Sequence, residues 1–211
     1  KILKIDNSIM LVRNGQKDTF LSIIQDKNKK PRINQQKQMD KGITGFKGHT
    51  RAFLKIQDGC DNYCSYCKVA LVRGKPRSKP LSAVLQEANS LVSRGFKEIV
   101  LTGICLGKYG NDLRERINLV DAIDGLEGIS GLLRIRLSSI EAADVSDALI
   151  DKMAKSHKLC PHFHIPIQSG DDTILRKMNR KYTEKYYLEL VKKIKRKISK
   201  VSLTTDCLVG F

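Results

Sequence analysis

The sequence lacks any apolar run long enough to cross a membrane, and no secretory signal is recognisable at its start. It also lacks the cysteine framework of a small disulfide-bonded domain, because its six cysteines are scattered through 211 lysine-rich residues. These absences argue against a membrane-spanning chain and against a secreted one. We therefore expect a soluble cytoplasmic protein, whose 41% hydrophobic residues can bury the core of one domain.

Acidic residues are scarce in comparison with basic ones. The chain has 22 Asp and Glu against 39 Lys and Arg, which gives a formal net charge of +17. A field of this sign attracts polyanions, and nucleic acid is the commonest polyanion in the cytosol. The charge therefore favours a nucleic-acid partner, although a solvated basic surface would give the same composition.

Three of the cysteines, Cys60, Cys64 and Cys67, stand together in one short stretch. Three thiolates can bind three irons of a four-iron cluster and leave the fourth iron open to another ligand. A zinc site completed by Cys160 or His49 is an alternative, and unligated thiols are another. Zinc usually takes its ligands as two separated pairs, and the sequence has no second cysteine pair. The spacing therefore favours an iron–sulfur cluster with one open iron.

The first part of the chain predicts the end of an upstream α/β domain. Residues 8–13 read as a short strand and residues 16–25 as a helix, and two elements cannot make a core alone. We therefore assign residues 1–30 to the end of an amino-terminal domain. Residues 31–49 are polar and basic, which is typical of a linker, and residues 50–211 form the main domain.

Strands alternate with helices throughout the main domain. The predicted strands are 52–57, 98–102, 132–138, 162–168 and 201–209. The predicted helices are one ending at Gly95, one around 117–126, one capped by Asp144, and the helices 171–179 and 183–199. This order predicts an α/β fold with a parallel sheet of about five strands, which suits a partial barrel.

Polar and glycine residues follow several of these strands, where chemistry collects in complete barrels. A cofactor with a charged amino-acid end, a ribose and an adenine would need such a mixture of donors, carboxylates and bare backbone. We therefore predict a cofactor site at these strand ends. Its candidate residues are Thr102, Gly103, Ser139, Glu141, Gln168 and Asp206.

At this point the residues resemble a known family. The cysteine spacing, with Tyr66 before the last cysteine, resembles that of the radical S-adenosylmethionine (radical SAM) enzymes. The stretches that narrow the resemblance to the methylthiotransferases are 51–60, 73–74, 164–170 and 205–211. The stretches most similar to the threonylcarbamoyladenosine tRNA methylthiotransferases are 101–104, 109–110 and 138–141. The resemblance covers roughly residue 50 to the end, and more faintly the first forty residues.

The resemblance implies a partial (β/α)6 radical SAM barrel in which Cys60, Cys64 and Cys67 hold a 4Fe–4S cluster. The open iron of such a cluster binds the amino and carboxylate groups of S-adenosylmethionine. An electron from the cluster then gives a 5′-deoxyadenosyl radical, which takes hydrogen from C2 of the modified adenosine beside the anticodon. Thr102 and Gly103 would face the methionine end of the cofactor. The residues implied around the nucleoside are Ser139, Glu141, Gln168 and Asp206.

The resemblance also implies partner molecules, and the sequence differs from the family pattern at some positions. A second 4Fe–4S cluster delivers the methylthio group and belongs to an amino-terminal domain, whose three cysteines are not among these residues. We therefore expect a fragment truncated at its carboxyl end, with tRNA and an electron donor such as flavodoxin or ferredoxin as partners. Residues 68–70 and Cys105 depart from the family pattern. This leaves open isopentenyladenosine in tRNA or a ribosomal-protein aspartate as substrate, and a zinc-stabilised RNA-binding module as a non-enzyme alternative.

Other chemistry-bearing residues have plainer interpretations. Cys105, Cys160 and Cys207 are expected to be small core residues, since cysteine beside a strand is commonly buried. His162 and His164 share one face of a predicted strand, where we expect a structural role rather than a metal pair. The lysine-rich run at 192–197 is a solvated helix face or a tRNA contact.

Overall fold

The computed structural model describes residues 48–211. The predicted strand at 8–13, the predicted helix at 16–25 and nearly all of the predicted linker at 31–49 lie outside the described residues. The domain boundaries predicted from the sequence therefore stay predictions. The main domain, in contrast, is described almost from its predicted start.

Parallel strands form the centre of the described residues. In chain order the strands are β1 Ala52–Lys55, β2 Gln57–Asp58, β3 Arg77–Ser78, β4 Glu98–Thr102, β5 Arg134–Leu137, β6 His162–His164 and β7 Ser202–Thr204. β1, β4 and β5 form one parallel sheet in that order, and β6 pairs with β7 in parallel. A parallel bridge between Ile135 and Leu159 joins the two sets. The five parallel strands confirm the predicted partial α/β barrel.

Helices fill the connections between the parallel strands. In chain order they are α1 Val69–Arg73, α2 Leu81–Ser93, α3 Leu119–Glu127, α4 Asp147–Lys155, α5 Asp172–Lys177 and α6 Glu184–Lys197. Short 3₁₀ turns at Leu106–Lys108 and Ala142–Asp144 follow β4 and β5. Within the described residues, no helix is both long enough and apolar enough to span a bilayer.

The start of α4 corrects the predicted cap. Ser146, not Asp144, caps this helix, because its Oγ accepts a hydrogen bond from the Leu149 N–H at 3.2 Å. Asp144 instead ends the preceding 3₁₀ turn. The sequence offers two capping side chains two residues apart, and only the tertiary path of the chain selects between them.

The last two strands are shorter than their apolar patterns predict. The fourth, predicted as 162–168, stops at His164, since Pro166 has no N–H for the ladder and Gln168 has a positive φ of 64°. The fifth, predicted as 201–209, stops at Thr204. Other predicted boundaries differ by one or two residues. The elements α1, β2 and β3 are not predicted by the sequence pattern, because two to five residues are too few to show a period.

One face of the parallel strands packs against the helices. Fully buried strand residues on this face are Leu54, Ile99, Leu101, Ile135 and Phe163. Their helical partners in the same core include Val84, Ala88, Ala122, Ile123, Leu126, Leu149, Ile150, Met153, Leu190 and Ile194. The alternation of strand side chains sends the remaining residues to the opposite face.

That opposite face carries charged and hydrogen-bonding side chains. Arg136 Nε donates to Glu98 Oε1 at 3.2 Å. The rings of His162 and His164 both contact Thr204 Oγ1, at 3.0 and 2.8 Å. We call these five residues the polar face of the sheet. Because the strands are parallel, the residues that follow them meet at one edge beside this face.

Candidate functional site

The cysteine loop, residues 59–68, follows β2 and is anchored at two places. The Cys60 N–H donates a hydrogen bond to the Gly74 carbonyl at 3.0 Å. The Ser65 N–H donates to the Met178 carbonyl at 3.1 Å, which ties the loop to the end of α5. The three thiols therefore come from backbone that is fixed against two separate elements.

Asn179 clamps the centre of the cysteine loop. Its Nδ2 donates to the carbonyls of Asn62 and Tyr63, at 3.1 and 2.9 Å. Both Tyr63 and Asn179 have positive φ, of 50° and 58°. Residues with side chains keep this conformation only where their surroundings hold them. The loop is therefore shaped by its contacts rather than by local preference.

Gly59, before the first cysteine, has a φ of 80°, and a Cβ there would lie 2.7 Å from the Gly74 carbonyl oxygen and closer still to that of Lys75. We expect Gly59→Ala to lower the free energy of unfolding by more than about 2 kcal/mol, because backbone strain adds to a clash with backbone atoms. Gly95→Ala is the matched control, with a φ of 97° and open space around its Cβ position. Urea unfolding compares the two variants. Equal losses would contradict this explanation.

Each sulfur of the cysteine loop accepts a hydrogen bond from an N–H group. The Asn62 N–H lies 3.4 Å from Cys60 Sγ, and the Val69 N–H lies 3.5 Å from Cys67 Sγ. Arg180 Nη1 lies 3.4 Å from Cys64 Sγ. Such donors stabilise negative charge on sulfur, and the thiolate is the form that binds metals. This donor set fits thiolate ligands of an iron–sulfur cluster.

The surroundings of Cys60 favour its thiolate form. A hydrogen bond with Cys105 lowers the pKa of Cys60 to about 6, with help from the Asn62 N–H and Lys108 and against the effect of burial. The same hydrogen bond raises the pKa of Cys105, as does its burial and the nearby Asp144 carboxylate. The lowered pKa favours the thiolate form of Cys60, which is the form that binds metals.

Arg180 links the cysteine loop to Glu141. Its Nη2 lies 2.8 Å from Glu141 Oε2, and its side chain is only 5% exposed. Its guanidinium also lies 5.1 Å from the centre of the Tyr182 ring. Burial raises the pKa of Glu141 to about 6, although Arg180 opposes that shift. Glu141, one of the residues predicted at the strand ends, is thus linked to Cys64 because both contact the Arg180 guanidinium.

Thr102 and Gly103 end β4, as predicted, beside the loop. The Thr102 carbonyl accepts a hydrogen bond from the Ile56 N–H at 2.9 Å. A Cβ on Gly103 would lie 3.0 Å from Cβ and Oε1 of Gln57. Gln57 Oε1 in turn accepts a hydrogen bond from the Cys105 N–H at 2.7 Å. The missing side chain at Gly103 therefore makes room for Gln57, which is a structural reason for this glycine.

The two serines after β5 have different environments. Ser139, the predicted site residue, is exposed. The neighbouring Ser138 has a buried Oγ that finds no hydrogen-bond partner among the described residues. A buried hydroxyl without a partner is costly and points to a ligand. Ser138 is thus the stronger candidate, and alternation along β5 is the signal that identifies it.

Gln168 and Asp206 lie together at the ends of β6 and β7. The Gln168 N–H donates to the Asp206 carbonyl at 3.0 Å. Asp206 Oδ2 lies 3.1 Å from His164 Nε2, and the Asp206 side chain is 68% exposed. Asp206 therefore contacts the polar face through His164, and Gln168 is joined to Asp206 through the backbone.

The remaining cysteines follow the predicted pattern only in part. Cys105 is buried, as expected for a core residue, and Cys160 is half-buried. Cys207 is exposed, so its prediction as a core residue is wrong. The reason is that β7 ends at Thr204, before the chain reaches Cys207. Among residues 48–211, no three Cys, His, Asp or Glu side chains are grouped as they would be around one metal ion.

A sequence profile of the Radical SAM superfamily matches residues 54–211. The chain is 44% identical over 161 residues to tRNA-2-methylthio-N(6)-dimethylallyladenosine synthase of Carboxydothermus hydrogenoformans, which covers 76% of this chain and 37% of that protein. It is 42% identical over 171 residues to threonylcarbamoyladenosine tRNA methylthiotransferase MtaB of Bacillus subtilis, which covers 80% of this chain and 38% of that one. The chain thus spans less than two fifths of the length of these curated relatives.

Solved structures share the fold. The radical S-adenosylmethionine methyltransferase TsrM from Kitasatospora setae matches with a TM-score of 0.60 and 16% identity, over 76% of this chain and 31% of that chain. The cobalamin-dependent S-adenosylmethionine radical enzyme OxsB matches with a TM-score of 0.60 and 14% identity, over 74% and 23%. At such low identities the likeness concerns the fold alone. By its profile match and its relatives, the chain belongs to the radical SAM superfamily, and its predicted resemblance to the methylthiotransferases is confirmed.

Proposed function

We propose that this chain is the radical core of a tRNA methylthiotransferase, and that Cys60, Cys64 and Cys67 hold a 4Fe–4S cluster beside S-adenosylmethionine. The observation that carries the proposal is the cysteine loop, in which every sulfur accepts a hydrogen bond from an N–H group. The relatives named as tRNA methylthiotransferases support the reaction. The match to the Radical SAM superfamily over residues 54–211 supports the cluster.

The residues around the loop have distinct roles in this proposal. A bound cluster supplies one electron to the sulfonium of S-adenosylmethionine. Cys60 favours the thiolate form, because the Asn62 N–H donates a hydrogen bond to its sulfur and its pKa is lowered. Arg180 places its positive charge beside Cys64 Sγ, and its pairing with Glu141 holds that carboxylate near the loop. Thr102 and Gly103, at the end of β4, face the methionine end of the cofactor.

The remaining strand-end residues surround the rest of the cofactor and the nucleoside. Ser138 offers its unpartnered hydroxyl to a ribose or amino-acid group. Ser139, Glu141, Gln168 and Asp206 lie around the nucleoside rather than the cofactor in this proposal. These assignments place polar groups around a ligand that is itself polar along its whole length.

Ser138→Ala is expected to weaken S-adenosylmethionine binding by about 3- to 10-fold, which corresponds to the loss of one hydrogen bond of about 1 kcal/mol. Ser139→Ala is the matched control, because Ser139 is exposed. Equilibrium binding to the cluster-loaded, unreduced protein measures the difference. A loss of affinity at Ser139 as large as that at Ser138 would show that the hydroxyls were assigned wrongly.

For the substrate, we favour C2 of N6-threonylcarbamoyladenosine next to the anticodon. The threonylcarbamoyl group carries a carboxylate, and the polar face of the sheet has two histidine rings, of which His164 also contacts Asp206. N6-dimethylallyladenosine is the second candidate, favoured by relatives that carry that name at 42–44% identity. A cation near a substrate carboxylate would favour the first candidate, whereas an apolar lining would favour the second.

The further parts of the proposal concern the whole protein. A second 4Fe–4S cluster would lie on an amino-terminal domain that ends within residues 1–30, and the linker at 31–49 would lead to the core. Flavodoxin or ferredoxin would supply electrons. The net charge of +17 supports tRNA as the partner.

Nucleoside mass spectrometry of tRNA tests the substrate. Cells that lack the full-length protein, and have no second enzyme of this type, are expected to lose the methylthiolated threonylcarbamoyl nucleoside and to accumulate its precursor. Loss of the methylthiolated dimethylallyl nucleoside instead would favour the second candidate. Persistence of both nucleosides would contradict the proposed function. Re-expression of the protein with Cys64→Ala is the control and should not restore either product.

A further inference from the structure

A groove lies on the outer side of the domain, between the start of α4 and the exposed side of α6. Its volume is about 320 Å³. The polar residues that line it are Asp147, Tyr186, Glu189, Lys192, Lys193 and Arg196. None of them belongs to the cysteine loop or to the strand ends described above, so the groove is a separate feature of the surface.

The groove keeps an excess of positive charge. Its two carboxylates are already paired, Asp147 with Lys193 at 2.6 Å and Glu189 with Lys192 at 2.9 Å. Arg196 is exposed and has no ion pair within residues 48–211. α6 as a whole carries six Lys and Arg against two Glu. The Glu189–Lys192 pair is exposed on both sides, so it contributes little to stability and Lys192 can exchange Glu189 for a phosphate. The groove is therefore suited to an anionic partner.

The groove shares a wall with the candidate site. On one side of the 3₁₀ turn Ala142–Asp144, Asp144 Oδ2 lies 3.3 Å from Cys105 Sγ, and Glu141, which precedes the turn, pairs with Arg180. On the other side, the Tyr186 hydroxyl lies 3.5 Å from the Ala142 carbonyl. A polyanion with one unit at the cysteine loop can thus continue over this turn into the groove.

We propose that the groove binds the phosphate backbone of the RNA whose nucleoside enters the candidate site. Arg196 and Lys192, one helical turn apart on α6, bind the phosphates. Tyr186, whose side chain is 45% exposed, lines the end of the groove nearest the site and packs against the sugar. This inference rests on the proposed tRNA substrate and adds the surface that holds the RNA. RNA is the partner because its repeated charges match a row of cations beside a nucleoside site.

The test uses the full-length protein with Lys192→Gln and Arg196→Gln together. We expect tRNA affinity to fall at least tenfold at low salt. The slope of log affinity against log salt should become less steep by about two, because each substitution removes one cation that binds a phosphate. Cleavage of S-adenosylmethionine without tRNA should stay unchanged, since neither residue touches the site. Arg196→Gln alone is the second variant and should show about half of the change in slope.

A matched control removes the same charge elsewhere. Lys97→Gln with Lys155→Gln neutralises two exposed lysines, one before β4 and one at the end of α4. An equal loss of tRNA affinity in this control would contradict the proposal that the groove binds RNA, because the loss would then reflect net charge alone. Unchanged affinity and slope in the groove variant would also overturn it. If the wild-type protein itself binds no tRNA, the proposed function falls together with the groove. If the wild-type protein binds tRNA and the groove variant binds it equally well, the groove proposal is wrong but the proposed function stands.

Discussion

Cys64→Ala is expected to leave the chain unable to hold a 4Fe–4S cluster after anaerobic reconstitution with iron and sulfide. Cys64 is the central ligand of the proposed trio, and its sulfur is the one beside Arg180. Losing one of the three thiolates leaves two of the four irons without a protein ligand. The two remaining iron–sulfur bonds to the protein are then too few to retain the cluster. The iron and sulfide content of the protein and its brown absorbance measure the effect.

Cys207→Ala is the control for this substitution, because it removes an exposed thiol that lies outside the cysteine loop. This control should load iron like the wild type. A Cys64→Ala protein with a full cluster would contradict the assignment of the ligands. A colourless wild-type protein that retains one zinc per chain would instead support the zinc-stabilised RNA-binding module.

Arg180→Ala is expected to lower the free energy of unfolding by about 3–5 kcal/mol at pH 8, because it leaves the largely buried Glu141 carboxylate without its cation. The loss should be smaller at pH 5. The folded-state pKa of Glu141, about 6, lies above its ordinary value of 4.5, so its contribution to stability is present at low pH and is lost as pH rises through 6. Without Arg180, which lowers that pKa, the carboxyl is protonated more readily, and the neutral form needs no cation.

Urea unfolding of cluster-free protein at both pH values measures this prediction. Arg180→Ala combined with Glu141→Gln is the matched variant, since glutamine is uncharged and nearly the same size. The double variant should recover most of the stability at pH 8. A loss in Arg180→Ala that is equal at pH 5 and pH 8, and is not recovered in the double variant, would show that packing rather than charge is the cause.

Periodic patterns in the sequence account for most of the fold. They predict the strand 98–102 at its observed bounds, because a continuous apolar run between a helix and Gly103 has few other interpretations. The cysteine loop is also evident in the sequence, since three thiols within eight residues are rare without a metal. Strand lengths after β5 are predicted less well. There Pro166 and the positive φ of Gln168 end β6, and apolar composition alone does not show this.

The site residues are harder to predict than the fold. The sequence predicts Glu141 but not its partner Arg180, because one arginine among 39 basic residues carries no signal until the fold brings it beside Glu141. The sequence prediction includes Ser139 but not Ser138, whose buried hydroxyl without a partner becomes evident only in the fold. The packing of Gln57 against Gly103 is likewise not evident from the sequence. These contacts join residues that are distant along the chain.

The measurement that tests the central claim most directly is the reductive cleavage of S-adenosylmethionine by this chain after anaerobic loading with iron and sulfide. With a strong one-electron reductant, we expect 5′-deoxyadenosine and methionine in equal amounts, and neither product from the Cys64→Ala protein. A chain that takes up its full complement of iron and sulfide, accepts an electron and still leaves the cofactor intact would contradict the account.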